Sequence, residues 1–450
     1  MSSYDVIVVG GGSAGIAAAL ASSRGGAKTL LIERYGFLGG MLTAGLVAHF
    51  DPIRQMEASG IPLEIYERLK KAGAICEYDM DGIEMPYCYW QGGCGIDAER
   101  YKSLAVEMLE EAGVDILLHT IVTGVAKTSD DKITSVKIFN KSGASEIEAS
   151  IFIDSTGDAD LAEYAGVPYH LGDEGGCMSP TLCFNLGGVE MEPLYRYLEE
   201  NPNELGDHPR LGKYIRDPRK SSIIQGFRKL IRKAREAGDL TIDTPEQGIG
   251  MVVLPEKGSF HVNAVRLPGL NPVDAGDLTR LEITERKYIE EVYRFIRKYI
   301  PGCENSFMMQ SATQIGIRES RRIIGKYTME VEDIRRGLRY PDAIARYKWG
   351  HTDVHSGSGM QWSFEFIEGP YYIPYRSLVP INVHNLLFAG RCISATQAAM
   401  ASIRIMPICS ATGEAAGTAA ALCVQKHTDP DELSPEVLQS ALITGGVNLS

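Results

Sequence analysis

The sequence predicts an α/β fold: a parallel sheet with helices on its faces, interrupted by a long α+β insertion. Three observations carry that expectation. Residues 5–9 form an unbroken β-branched run of the kind that suits a strand covered on both faces, and it leads directly into Gly10, Gly12, Gly15 and an alanine-rich stretch, 16–22. Similar apolar runs return at 29–32, 151–154 and 386–389, the last followed by a small-residue helical stretch at 411–421. Between about 170 and 370 the pattern changes to mixed strands and amphipathic helices.

Composition narrows the class. With 450 residues, 44% apolar and 23% charged, the chain has the make-up of a soluble globular protein of two or three domains or one large α/β unit. Its 45 basic and 58 acidic residues leave a net charge of −13, which repels phosphate backbones and anionic headgroups, so neither nucleic acid nor membrane is an expected partner. The nine cysteines (76, 88, 94, 177, 183, 303, 392, 409, 423) contain no CxxC pair. Their odd number and spacing argue against a disulfide framework, a metal site and an iron–sulfur cluster, and favour buried thiols in a reducing compartment. The N-terminus lacks a basic segment and its apolar run is cut by four glycines, so a cytoplasmic chain is expected. The apolar stretch 405–424 contains Pro407, Glu414 and two glycines, and no transmembrane segment is expected.

The first glycines make a G-x-G-x-x-G turn between strand and helix. Glycine serves there for a tight turn, for backbone approach to a diphosphate and for close helix-on-strand packing, while the free amides at Ser13 and Ala14 and the helix dipole attract the anion. The strand at 29–32 ends in Glu33, 18 residues past Gly15. That is close to the spacing of about 20 for an acid that accepts both ribose hydroxyls and disfavours a 2′-phosphate. Arg34 follows, and then a second glycine loop, Leu38-Gly39-Gly40-Met41-Leu42-Thr43-Ala44-Gly45, placed where the chain would run under a flavin. A nicotinamide-only fold has no reason for it. Residues 97–112 carry a helical pattern stopped by Gly113, and 114–118 read as the third strand. Residues 132–139 and 146–149 read as hairpin strands, and 151–154 returns the chain to the parallel sheet.

The insertion holds no second dinucleotide fingerprint, since Gly248-Ile249-Gly250 follows no strand and opens no helix. Residues 177–189 and 251–265 read as strands; 223–237 and 278–298 read as amphipathic helices. The run Arg228, Lys229, Arg232, Lys233, Arg235 reads as a solvated helical face. Internal repeats and low-complexity segments are absent from the sequence.

These motifs together resemble the glutathione-reductase-like flavoproteins and, within them, the FAD-dependent oxidoreductase family. The resemblance runs over nearly the whole chain. Besides the two glycine loops it rests on Asp154-Ser155-Thr156-Gly157-Asp158, Gln314-Ile315-Gly316-Ile317-Arg318-Glu319-Ser320-Arg321-Arg322, Tyr372-Ile373-Pro374-Tyr375-Arg376, Phe388-Ala389-Gly390-Arg391 and Arg404-Ile405-Met406-Pro407. It implies a bound FAD in a Rossmann-like, three-layer, discontinuous domain (1–165 and 375–450) around a substrate domain (166–374). By resemblance the cofactor is held at Gly10, Gly12, Ser13, Ala14, Gly15, Glu33, Arg34, Gly39, Gly40, Met41 and Thr43, and adenine lies against the backbone near Val122. The same comparison assigns Thr156, Gly157, Asp158, Gly390, Arg391, Ile405 and Met406 to the cofactor. Relatives commonly carry an acid after the late glycine; here Arg391 donates to oxygens and accepts nothing. The helix opening at Ile405 and Met406 is implied to point at the flavin, where its dipole favours the reduced form.

Three groups are chemistry-capable. Arg318 and Arg322, spaced i, i+4 with Arg321 and Glu319 between them, would share one helical face and clamp a carboxylate, or else brace an interface. His351, Asp353 and His355 in a Gly/Ser-rich loop would move a proton, with His355 the preferred acid/base. His49 follows the flavin-side loop and is a weaker candidate to approach the flavin. The expected function is hydride transfer between flavin N5 and a small polar organic substrate that includes carboxylates among its candidates, with an external electron donor or acceptor. The alternative is an electron-transfer flavoprotein subunit of a larger redox complex, which the missing cysteine clusters count against. An FAD-dependent tRNA-modifying partner is disfavoured by the charge.

Overall fold

The computed structural model describes residues 3–54, 56–77, 93–129, 132–205, 219, 222–244 and 248–450. Cys88 lies outside them. Strand Tyr4–Val9 takes the middle of a seven-stranded sheet, and its residues Val6 to Val9 are buried, as an unbroken apolar run requires. It pairs in parallel with Thr29–Ile32 on one side and with Gly143–Asp154 on the other, so that Val9 stands opposite both Ile32 and Asp154. Asp115–Leu117 extends the sheet beyond Thr29–Ile32, and Leu386–Phe388 pairs in parallel with Gly143–Asp154.

Gly143–Asp154 is one continuous strand, where the sequence suggested a break near residue 150. No glycine or proline interrupts it there. Its first half is mostly exposed and pairs antiparallel with Lys132–Asn140, which pairs in turn with Ile121–Ser129; its last four residues are buried in the parallel sheet. One strand thus belongs to two layers.

Helices Ser13–Arg24 and Met406–Lys426, from opposite ends of the chain, lie side by side. Their composition explains how closely. A Cβ added at Gly413 would sit 2.0 Å from the Ala14 carbonyl oxygen, and one at Gly417 would sit 2.1 Å from that of Ala18. The helices therefore touch backbone to backbone along one stripe of small residues. Beneath the first helix, a Cβ at Gly15 would fall 1.7 Å from the Gly10 carbonyl oxygen.

The inserted segment builds a five-stranded antiparallel sheet in the order Ile223–Gly226, Ile249–Val253, Phe260–Asn263, Phe184–Gly187, Phe307–Ser311. Helix Ala275–Tyr299 is tied to it where Glu285 accepts from the Leu182 N–H and Arg286 donates to Ser311 Oγ at 3.0 Å. A long ribbon, Ala343–His355 against Trp362–Pro374, joins the two layers.

Five expectations are corrected. Residues 223–237 are a strand and then a helix, Arg228–Glu236, because Gly226 and Phe227 at φ +150° and +65° break the segment. Only Phe184–Gly187 is a strand within 177–189, the stretch before it being interrupted by Pro180; 251–265 is divided into two strands by the turn holding Pro255 and Gly258. Residues 318–322 are not helical. Thr181 and Gly316 exchange backbone hydrogen bonds and Arg321–Ile323 pairs with Tyr169–Leu171, which holds this stretch extended. His351, Asp353 and His355 stand on a strand, not in a loop. Among the described residues no helix is long and apolar enough to cross a membrane.

Gly413→Ala is expected to destabilise the protein by about 1–3 kcal/mol, because the new methyl meets backbone that has nowhere to retreat. Gly445→Ala, whose nearest neighbour would be a carbonyl oxygen 3.3 Å away at a negative φ, should stay within about 0.5 kcal/mol of the parent. Equal urea midpoints for the two variants would show that the helices separate freely.

Candidate functional site

The parallel strands end at one cleft. Val9 and Gly10, Ile32 and Glu33, Ser155 and Thr156, and Ala389 and Gly390 all line it, at the carboxyl ends where open α/β sheets bind ligands. Two helices open onto it as well. Ser13–Arg24 starts after Gly12 and Met406–Lys426 after Ile405; neither has a side-chain cap or an acid in its first turn, and Ser13, Ala14, Ile405 and Met406 line the cleft. Their free N–H groups are left to serve a ligand, and the dipoles favour a negative one.

The two glycine loops support each other. The Gly39 N–H donates to the Gly11 carbonyl at 2.8 Å, and a Cβ on Gly40 would lie 2.8 Å from Gly12 Cα. Gly40 and Met41 line the cleft, whereas Gly39 and Thr43 shape the turn behind it, Thr43 Oγ1 donating to the Leu38 carbonyl at 2.7 Å. Gly15 likewise lies under the first turn and not on the wall. The buried Glu33 carboxylate accepts from the Gly11 N–H at 2.6 Å and the Tyr35 N–H at 2.9 Å while lining the cleft. Arg34, which donates to Gln314 Oε1 at 2.9 Å, shares that wall with Val122, Thr156 and Gly157. Asp158 is set back: it accepts from Arg391 Nη2 at 2.7 Å and from Ser320 Oγ at 2.8 Å, holding Arg391 against the cleft. Two uncapped helix N-termini, a glycine turn under one of them and an acid at the end of the second strand fit the diphosphate, ribose and flavin portions of FAD.

At the deep end, His351, Asp353 and His355 alternate along one strand, so all three face the cleft. His355 Nε2 and Asp353 Oδ2 are 2.9 Å apart; Trp362 Nε1 donates to Asp353 Oδ1 at 2.6 Å, and Arg404 Nη2 to Oδ2 at 2.7 Å. Burial alone would raise the Asp353 carboxyl, but His355, Arg404 and Trp362 hold it well below its ordinary value. Burial pushes His355 well below the usual histidine range against the pull of Asp353, and Arg318 and Arg266 add to that push. His351, stacked on Phe364 at 5.2 Å, is lowered by burial to about 4, as is His49. All three imidazoles are neutral near pH 7. With the Asp353 carboxylate accepting at Nε2, the buried Nδ1 of His355 carries a lone pair, and it has no partner among the described residues.

The roof is the inner face of the five-stranded sheet. Register puts Ile223, Val252 and His261 in one row and Gln225, Gly250 and Asn263 in the next, and all six line the cleft. Arg266 follows, and Arg318 closes the wall, its Nη1 donating to the Ser179 carbonyl at 2.7 Å and to Thr181 Oγ1 at 2.5 Å. Behind them burial pushes Glu285 up to about 8. The expected pairing of Arg318 with Arg322 does not occur. Arg322 is buried away from the cleft wall, donating to Glu319, to the Ala395 carbonyl at 3.0 Å and to the Gly172 carbonyl at 3.0 Å. Arg321 binds the Asp158 carbonyl at 2.9 Å and braces the two layers. The lining thiols Cys183 and Cys409 are pushed up to about 12 by burial, so neither is a ready thiolate.

Sequence reasoning missed Arg266, His261, Asn263 and Gln225. Alternation within 260–263 signals that His261 and Asn263 share a face, but only the sheet's packing says which face meets the cleft.

Comparison with known proteins agrees with this architecture. The chain is 24% identical over 205 residues to a digeranylgeranylglycerophospholipid reductase of Thermoplasma volcanium, a match covering 43% of this chain and 50% of that protein. The chain thus spans about half the length of the curated relatives it matches. In fold it is similar to p-nitrophenol 4-monooxygenase from Pseudomonas putida (TM-score 0.51, 10% identity, 99% of this chain and 85% of that one). It is also similar to the myxobacterial chondrochloren halogenase, an FAD-dependent enzyme (TM-score 0.50, 14% identity, 98% and 78%). The model of the FAD dependent oxidoreductase family matches residues 5–442, and the chain belongs to that family.

Proposed function

We propose that the protein transfers a hydride between flavin N5 and a small polar organic molecule bound at the deep end of the cleft. One observation carries this reading: a single cleft joins the glycine turn and both helix N-termini to the buried group of His355, Asp353 and Arg318. When bound, FAD supplies the two-electron exchange. In this reading residues 1–165 and 375–450 hold the cofactor and 166–374 cover the substrate. Glu33 accepts from the ribose, the amides at Ser13 and Ala14 serve the diphosphate, and the helix start at Ile405 and Met406 serves the flavin.

The protein's own contribution at the reacting end is a positioned base. Asp353 fixes the imidazole so that Nδ1 of His355, unprotonated and facing the cleft, takes a proton from the substrate as its hydride leaves; burial keeps this imidazole neutral and lowers its basicity, and the nearby Asp353 carboxylate offsets part of that loss. Gln225, Asn263 and His261 stand beside Ile223 and Val252 on the roof and, with Arg266 and Arg318, offer a polar molecule partners there. Anaerobic bleaching of the flavin by a panel of small hydroxy and keto acids, amines and prenyl lipids tests the assignment; bleaching by none of the polar compounds, with reoxidation by a prenyl lipid alone, refutes it.

Glu33→Arg should release FAD, since it removes a charge-assisted acceptor at the ribose, with each such hydrogen bond contributing about 1.5–3 kcal/mol. Titration of FAD into apoprotein measures this, and unchanged affinity would remove Glu33 from the site. His355→Ala should keep its flavin but slow substrate-driven flavin reduction about 10²- to 10⁴-fold. Because the folded His355 pKa is depressed, the base form persists as pH falls, so the parent's rate should stay level from about pH 8 down past the ordinary histidine value of about 6.5. A rate that drops in step with a pKa near 6.5 would mean that an ordinary, solvated group provides the base.

A further inference from the structure

Resting on the flavoenzyme reading above, we propose that Arg266 anchors the carboxylate of the substrate, which makes the substrate class small organic acids. Arg266 is 5% exposed and lines the cleft, yet its Nε and Nη1 donate to no acceptor among the described residues. An unpaired guanidinium in a closed site is strongly unfavourable, and single-residue removal of a partner from a buried charge is among the most destabilising changes known. Such a group is retained where an anion completes it.

The other two guanidiniums near it each already hold an acceptor, although the buried Nε of Arg404 has none among the described residues. Arg318 spends Nη1 on the Ser179 carbonyl and Thr181, and Arg404 spends Nη2 on Asp353. Both act electrostatically on Arg266, as does Asp353. Glu285 also faces the group but is held protonated near neutral pH by its burial. Two guanidiniums besides its own act on Arg266, against the Asp353 carboxylate and a Glu285 carboxyl that burial raises, in a chain whose net charge is −13. A planar, two-oxygen anion matches a guanidinium with two nitrogens still free to donate. Burial and the two neighbouring arginines lower Arg266 to about 9, which a bound anion would reverse. With the acid group fixed on Arg266, the carbon beside it is presented within the cleft that also holds the free Nδ1 of His355.

The test uses FAD-loaded protein, in parent form and as Arg266→Met and Arg266→Lys. Each is titrated with malonate, succinate, uncharged dimethyl succinate and inorganic phosphate at matched ionic strength, read by calorimetry and by thermal shift. The parent should bind at least one dicarboxylate saturably and ignore the diester. Arg266→Met should weaken that binding at least about 10-fold, the loss of a charge-assisted hydrogen bond, and Arg266→Lys should fall between. Without ligand, Arg266→Met should melt no lower than the parent, because it removes an unpaired buried charge. Equal binding by Arg266→Met, no saturable carboxylate binding by the parent, or phosphate binding as well as the dicarboxylates overturns the proposal. A melting point lowered in both variants, without ligand, assigns Arg266 a structural role and overturns it too. Arg266-dependent succinate binding by FAD-loaded protein whose flavin no polar compound of the panel bleaches upholds the anion site and overturns the hydride-transfer reading on which it rests.

Discussion

The structure depends on the contact between its first and last long helices. Gly413 and Gly417 let the backbone of Met406–Lys426 rest on the carbonyls of Ala14 and Ala18, a distance that no side chain tolerates. That approach sets where both helices begin. Because each starts at the same end of the parallel sheet, two uncapped N-termini from opposite ends of the chain converge on one cleft. Small residues in these helices are therefore a positioning device: larger ones would clash with the facing backbone at this separation, on which the two N-termini at the cleft depend.

The inserted sheet answers a different requirement. Its core face is apolar, as burial demands, while the rows that face the cleft carry Gln225, His261 and Asn263, and the chain leaving the sheet brings in Arg266. Polar and charged groups in such a place cost stability unless they are paired. Most are: Asp353 alone takes hydrogen bonds from His355, Trp362 and Arg404. Among the buried groups left open are His355 Nδ1 and two nitrogens of Arg266, and both residues line the cleft. An unsatisfied buried group that lines a cleft is one that a molecule other than the protein can complete.

Local signals made much of the cofactor half legible. The G-x-G-x-x-G turn, the acid 18 residues on and the second glycine loop are read from neighbours close in sequence, and Gly10, Gly12, Glu33, Gly40 and Met41 from them line the cleft. The other end of the cleft was legible in residue type but not in partnership. Arg318 lines the cleft as expected, but the helical spacing that linked it to Arg322 failed because Thr181 and Tyr169–Leu171, from over 130 residues away, pull this segment into extended pairing. His351, Asp353 and His355 act on the same side for a reason opposite to the one first considered: a strand, not a flexible loop, aligns them.

The sequence by itself determined the parallel sheet, the dinucleotide turn and the small-residue helix at the end of the chain, because period, glycine placement and side-chain volume are local properties that hold wherever a segment ends up. It also determined that histidines, arginines and an acid were available. Tertiary structure alone decided which of them meet. Arg266 and Arg322 are equally basic on paper; one faces the cleft with two nitrogens open and the other is buried among Glu319, Ala395 and Gly172. That difference comes from strand order and sheet face, which are set by pairings between residues far apart in the chain and leave no mark in the local pattern.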